Sequence, residues 1–295
     1  MPDAPRLSVI VTTILPWPAL QMTMDSVYEQ ARALDAEIIV GMRETGLPRD
    51  AYPEAVRVVE PGGNLLSLRA AAFARARGAV IAMTEDHCRV RPNWCDAVLR
   101  VHAARPDALV IIGCVENTAR DRLSDWAPYL LGNGAFMAPL ASGRYGGAIT
   151  SANASFKRSG LPEQLPSRGW SGDWHAAWLR ERGTPATLDP GPVVDHELAV
   201  SLRQGFAIFY RSARASAPEV GEGAVVRTVL AALWGIAGAP LGAARTALRV
   251  AIHKGRFRAT SIASIPAVAS LIVAHHLGRA YGAIAGPGSA PDLLT

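Results

Sequence analysis

Ala79-Val80-Ile81-Ala82-Met83-Thr84-Glu85-Asp86-His87 decides how this chain is read. Ala79 to Met83 is a short, continuous apolar run set off by Gly78, the pattern of a strand buried on both faces. Glu85, Asp86 and His87 follow just past its end. Three ionisable side chains at the end of a buried strand are costly unless they bind something. Carboxylates and an imidazole together can ligate a divalent cation. The competing reading is a solvated strand-to-helix turn in which Asp86 serves as a cap.

The segments on either side repeat this alternation. Leu7 to Thr13 is a β-branched strand broken by Pro16 and Pro18, and Leu20 to Leu34 is a helix with Leu20, Met24, Val27 and Ala31 on one face. Glu37 to Val40 and Arg57 to Val59 are two more strands. Leu65 to Arg77 is an Ala-rich helix, with Gly78 placed to cap its C-terminus. Asn93 to Ala104 is helical and Ala108 to Val115 is a strand. Residues 116–150 read as a long irregular loop, the kind that often serves as a lid. Asp173 to Arg182 is a short helix, and the chain then runs to Val193-Val194-Asp195-His196. Such alternation predicts an α/β domain with a mainly parallel sheet. Ligands bind beyond the carboxyl ends of such strands, where Thr12-Thr13, Arg43-Glu44 and Glu85 to His87 all fall. No GxGxxG follows the first strand and no Walker A or GxSxG motif occurs, which disfavours dinucleotide-binding, P-loop and α/β-hydrolase readings.

The 295 residues are 49% hydrophobic and 19% charged, enough apolar surface for a full core. Charge is unevenly placed. Ser201 to Thr295 holds ten Lys/Arg against three acids, +7, so residues 1–200 carry about −2 of the net +5. Thr228 to Ala244 and Ala259 to Gly278 contain no charged residue, and basic residues from Arg245 to Arg258 lie between them. The tail therefore predicts a helical hairpin with a cationic turn, placing a domain at 1–215 and a helical region at 216–295. A basic, apolar tail suits an anionic lipid surface, and shallow association is expected ahead of a spanning pair or a soluble helical cap. Few aromatics interleave with the cations, so no nucleic-acid partner is expected. Three cysteines without a CxxC pair argue against a disulfide framework or a zinc site and fit a reducing cytoplasm. The opening residues show no signal-peptide pattern.

Several segments in order resemble a family-2 glycosyltransferase over roughly residues 5–215. They are Leu7 to Thr13; Gly63-Asn64-Leu65-Leu66-Ser67-Leu68-Arg69 with Ala74-Arg75-Ala76-Arg77-Gly78-Ala79-Val80-Ile81-Ala82; Glu85-Asp86-His87 at the DxD position, followed by Pro92 and Trp94; Val115-Glu116-Asn117; Ala152-Asn153-Ala154-Ser155-Phe156-Lys157-Arg158; and Val194-Asp195-His196. The resemblance implies a GT-A fold and an inverting transferase that uses a UDP- or GDP-sugar. It implies that Thr12, Thr13, Arg69, Glu85 and Asp86 contact the donor, and that Glu85, His87 and His196 hold a divalent cation, Mn or Mg. Asp173, in Trp170-Ser171-Gly172-Asp173-Trp174, falls at the catalytic-base position; the plainer reading is a helix N-cap or first-turn acid. His196 likewise has a structural alternative. The chain departs from the family where the second strand ends in Val40-Gly41-Met42-Arg43-Glu44 instead of Asp-Asp-Gly-Ser, which leaves Glu44 as a substitute, and where Ala70 stands for Asn. The tail points to a lipid-linked or cell-envelope glycan acceptor on the cytoplasmic side of the membrane. The departures motivate an alternative: an inactive GT-A-like module that binds a nucleotide or glycan and scaffolds a membrane assembly.

Overall fold

The computed structural model describes residues 4–44, 46–166, 169–217 and 222–290. In chain order the elements are β1 (Leu7–Thr12), α1 (Gln21–Arg32), β2 (Glu37–Met42), β3 (Val56–Val59), α2 (Leu65–Arg75), β4 (Val80–Glu85), β5 (Cys88–Val90), α3 (Trp94–Ala104), β6 (Val110–Asn117), α4 (Leu123–Gly132), β7 (Gly143–Tyr145), β8 (Ala154–Lys157), α5 (Gly172–Glu181), β9 (Ala186–His196), α6 (Leu202–Ala215), α7 (Glu222–Ala237), α8 (Ala239–His253), α9 (Arg258–Ala263) and α10 (Ile265–Ala285). The chain forms two compact units. One comprises residues 1–116 and 136–197, the other residues 117–135 and 198–295.

The first unit is built on a mixed sheet in the order β3-β2-β1-β4-β8-β6-β9-β5, with β7 added to β9. β3, β2, β1 and β4 run parallel, and β8 returns antiparallel between β4 and β6. All six residues of β1 are buried, as a strand covered on both faces requires. Register sets Thr12 opposite both Gly41 and Glu85. The carboxyl ends of β1, β2 and β4 therefore form one rim.

Local chemistry explains the helix starts. Asn64 caps α2, its side-chain oxygen accepting from Leu66 N at 3.0 Å and Ser67 N at 3.1 Å. Ser171 caps α5, and Ser201 with Gln204 forms a capping box on α6. Gly78 is not the C-cap of α2; Ala76 occupies that position in an extended conformation. Gly78 is small for another reason, since a Cβ there would lie 2.5 Å from Ser8 N on β1. On the other side of α2, Phe73 packs edge-on to Phe156 of β8 and tilted against Trp170.

Residues 116–150 are not one irregular loop. They contain α4, whose interior Pro128 removes a backbone donor and masks the helical pattern. The second unit joins α4 to α6 and the C-terminal helices, so α6 groups with the tail. Within it α10 packs along α6, α7 and α8. Gly278 and Gly282 on α10 permit the approach to α6, because a Cβ at 278 would lie 2.1 Å from the Tyr210 carbonyl oxygen. Among the described residues the tail holds four helices where two were expected. Pro240 opens α8 within its first turn, a position where its missing N–H costs nothing. Arg245 and Arg249 consequently lie on α8 and not in a turn. Among the described residues no single helix is long and apolar enough to cross a membrane. One pair, Val225–Ala237 with Ala239–His253, passes together but is bent by 63°.

Candidate active site

The end of β4 carries a network of charge. Glu85 is the last residue of the strand, and its Oε1 accepts from Arg69 Nη2 at 2.9 Å and from Ser151 Oγ at 2.5 Å. Arg69 reaches it from α2, is 7% exposed, and lies with its guanidinium 5.8 Å from the ring centre of Trp170. Its Nε is buried with no hydrogen-bond partner among the described residues. Asp86 accepts from Thr13 Oγ1 at 2.5 Å through one oxygen and pairs with His87 Nδ1 at 2.8 Å through the other. His87 Nε2 sits 3.1 Å from His196 Nε2 and 3.4 Å from Glu85 Oε2.

His196 arrives from β9 because β5 pairs with that strand, setting Cys88 opposite His196. The short turn at Asp86-His87 joins β4 to β5 and carries His87 within reach of His196. Thr23 of α1 holds this turn by donating to the Cys88 carbonyl at 2.7 Å.

Burial and charge set the protonation states. Burial opposes charge on His87, but its bonds to Asp86 and Glu85 outweigh it and raise its pKa to about 10. Burial, then the adjacent His87 cation, lowers His196 to about 3. Burial would raise Glu85, yet the His87 bond and charge, with Arg69, hold its carboxyl well below the usual range. This assigns a doubly protonated His87 that donates to Asp86 and towards a neutral His196. Cys88 is driven well above its ordinary value, chiefly by burial, so its thiol stays protonated.

One donor atom each from Glu85, His87, Cys88 and His196 lies within 4.8 Å of the others. Two imidazole nitrogens and a carboxylate oxygen at that separation fit a divalent cation. The thiol is the weakest member of the set, because only a thiolate ligates well. A proton on His87 Nε2 and a cation compete for the same lone pair, so the pKa of His87 is part of the affinity.

Of the residues singled out in the sequence, Thr13, Arg69, Glu85, Asp86, His87 and His196 meet in this network. Thr12 is 1% exposed at the same rim, and its hydroxyl has no partner among the described residues. Glu44 is exposed on the turn after β2 and makes no side-chain bond to the cluster among the described residues. Asp173 is exposed in the first turn of α5. It lies three residues after Trp170, which faces Arg69, and Gly172 O accepts from Ile149 N, two residues before Ser151. Sequence reasoning missed Ser151, Trp170 and Cys88 as site neighbours. Asn153 is architectural: it accepts from Trp94 Nε1 at 2.9 Å and donates to the carbonyls of Cys114 and Pro192.

The sequence matches no protein-family model and no curated protein. Solved structures do match. The chain is similar to GalNAc-T7 in a crystal structure with UDP, GalNAc and Mn2+, at 14% identity and a TM-score of 0.50, covering 75% of this chain and 53% of that one. It thus spans about half the length of that relative. It also matches the mannosyltransferase PcManGT from Pyrobaculum calidifontis in complex with GDP-Man and Mn2+, at 19% identity and a TM-score of 0.46, covering 96% of this chain and 75% of that one. At 14% identity the likeness to GalNAc-T7 is one of architecture, and the architecture of this chain is the GT-A type.

Proposed function

We propose that the chain is a glycosyltransferase of the family-2 kind that moves a sugar from a UDP- or GDP-sugar to an acceptor hydroxyl. The observation that carries this is the meeting of Glu85, His87 and His196 beside Thr13 and Arg69 at the carboxyl ends of β1 and β4. The described residues of this cluster supply two sources of positive charge for a nucleoside diphosphate, a cation-holding set and a buried guanidinium.

Glu85, His87 and His196 would hold a divalent cation. When bound, such a cation offsets the charge that grows on the departing diphosphate. The buried Arg69, fixed by Glu85 and Trp170, adds a second positive group whose orientation is already set. Ser151 and Arg69 lock Glu85 Oε1, leaving Oε2 directed to His87. Asp173 is assigned the base. It takes the proton of the acceptor hydroxyl as that oxygen attacks the anomeric carbon. The bond from that carbon to the diphosphate oxygen breaks, its electron pair leaves with the nucleotide, and the anomeric centre inverts. An exposed first-turn carboxylate suits this role because the acceptor must reach it from solvent.

The acceptor in this reading is a lipid-linked or cell-envelope glycan, met at the cytoplasmic face of a membrane on which the basic helical tail rests. The absence of carboxylates from residues 223–291 supports that placement.

The test is transfer from UDP- and GDP-sugars by the purified chain with Mn2+, read with the anomeric configuration of the product. Asp173→Asn should lower turnover by about 10²- to 10⁴-fold with donor affinity unchanged. Full activity in that variant, or retained configuration, removes Asp173 from the base role. Nucleotide binding with no turnover on any acceptor would favour the inactive scaffolding module instead.

A further inference from the structure

A pocket of about 290 Å³ lies between α7 and α10, lined by Arg227, Thr228, Ala231, Ala232, His276 and Arg279. It is near the small end of ligand-sized cavities, about 300 Å³. Gly235 on α7 leaves room for the His276 ring, since a Cβ there would lie 2.2 Å from it. Arg227 and Arg279 are exposed, and among the described residues neither guanidinium meets a carboxylate. Neutralising carboxylates are also scarce in the sequence, since residues 223–291 contain seven Lys/Arg and no Asp or Glu. Two guanidinium groups and an imidazole lining one pocket suit a phosphate, which Arg binds through paired N–H donors.

The neighbouring face says where that phosphate comes from. Val226, Leu230, Leu233 and Trp234 follow at helical spacing on α7 and are 59%, 60%, 57% and 82% exposed. Leu241 and Ile252 of α8 are 76% and 67% exposed. A bent helix pair with bare leucines, an outlying tryptophan and cations along its flank is built to lie in a bilayer interface. A soluble phosphate ligand would give no reason for this apolar stripe.

We propose that the Arg227–His276–Arg279 pocket binds the phosphate of an anionic membrane lipid while the α7 stripe enters the headgroup region. This deepens the membrane placement of the proposed function by naming the group that is gripped. The full chain is sedimented with vesicles of phosphatidylcholine alone or mixed with phosphatidylglycerol, and inorganic phosphate is titrated in parallel by calorimetry. Arg227→Gln/Arg279→Gln is compared with Arg245→Gln/Arg249→Gln, which removes the same charge from exposed positions on α8; circular dichroism checks that each variant is folded. Wild type should partition onto the phosphatidylglycerol vesicles, and the pocket variant should lose about tenfold more binding than the α8 variant. Equal losses overturn the pocket and leave a general basic surface. Binding of inorganic phosphate without vesicle binding assigns the site to a soluble ligand and overturns the lipid. No vesicle binding by wild type removes the membrane reading itself, while leaving the transferase assay untouched.

Discussion

Acid should loosen the wall behind the candidate site through His175. The side chain is 0% exposed on α5. Its Nδ1 accepts from Trp170 Nε1 at 2.9 Å and its Nε2 faces the Gly160 carbonyl at 2.9 Å. The ring stacks on Phe156 at 5.2 Å and 12°. Only the neutral tautomer with its proton on Nε2 satisfies both bonds; a second proton would point at the Trp170 N–H. Burial therefore lowers the pKa to about 4, with the Gly160 bond opposing in part. The sign follows. As pH falls below about 6.5 the unfolded chain takes up a proton that the folded chain refuses, so stability is complete above that pH and drains as pH approaches 4. Between pH 7 and pH 5 the loss from this one group is about 2 kcal/mol. Urea unfolding at both pH values, in wild type and in His175→Gln, isolates it. Glutamine can accept from Trp170 and donate to Gly160 without titrating, while His102, also lowered to about 4, contributes equally to both proteins. If the two proteins lose the same stability on acidification, the account of His175 is wrong. The effect bears on function because Trp170 faces Arg69, and Arg69 holds Glu85.

Cation binding should release about one proton and weaken about tenfold per pH unit on acidification below about 10, because His87 must lose the proton that Asp86 and Glu85 stabilise; calorimetry of Mn2+ in buffers of different ionisation enthalpy reads this, and no proton release would contradict it. His196→Ala should weaken Mn2+ by at least about tenfold, whereas Cys88→Ser should change it little because the thiol stays protonated. Gly113→Ala should destabilise the first unit by about 1–3 kcal/mol in urea unfolding, because the new methyl would lie 2.4 Å from both Asn153 Nδ2 and the Pro192 carbonyl oxygen. Unchanged stability would mean that β6 and β9 can part at this point.

Much of the scaffold was legible because its signals are local. The β-branched run at Leu7 to Thr12 and the apolar run before Glu85 are strands in any context that covers both faces. Leu20, Met24, Val27 and Ala31 mark α1 by spacing within a few turns. α4 was hidden because Pro128 breaks the pattern that betrays a helix, and surrounding structure tolerates it. Gly78 was misread because a glycine after a helix commonly caps it, whereas here the neighbouring strand leaves no room for a side chain.

The sequence by itself determined the inventory: an acid, an acid and an imidazole at a strand end, a second histidine far downstream, and a basic, carboxylate-free tail. Tertiary structure alone decided which of these meet. β5 and β9 pair antiparallel, and that register places His196 against His87 across 109 residues of chain. Ser151 and Trp170 join the site because β8 and the segment before α5 fold against α2, and Glu44 stays out because the turn after β2 leads it into solvent. Spacing along a chain reports neighbours within a turn or a strand. Contacts over a hundred residues are set by which apolar faces pack together, and no local pattern records that choice.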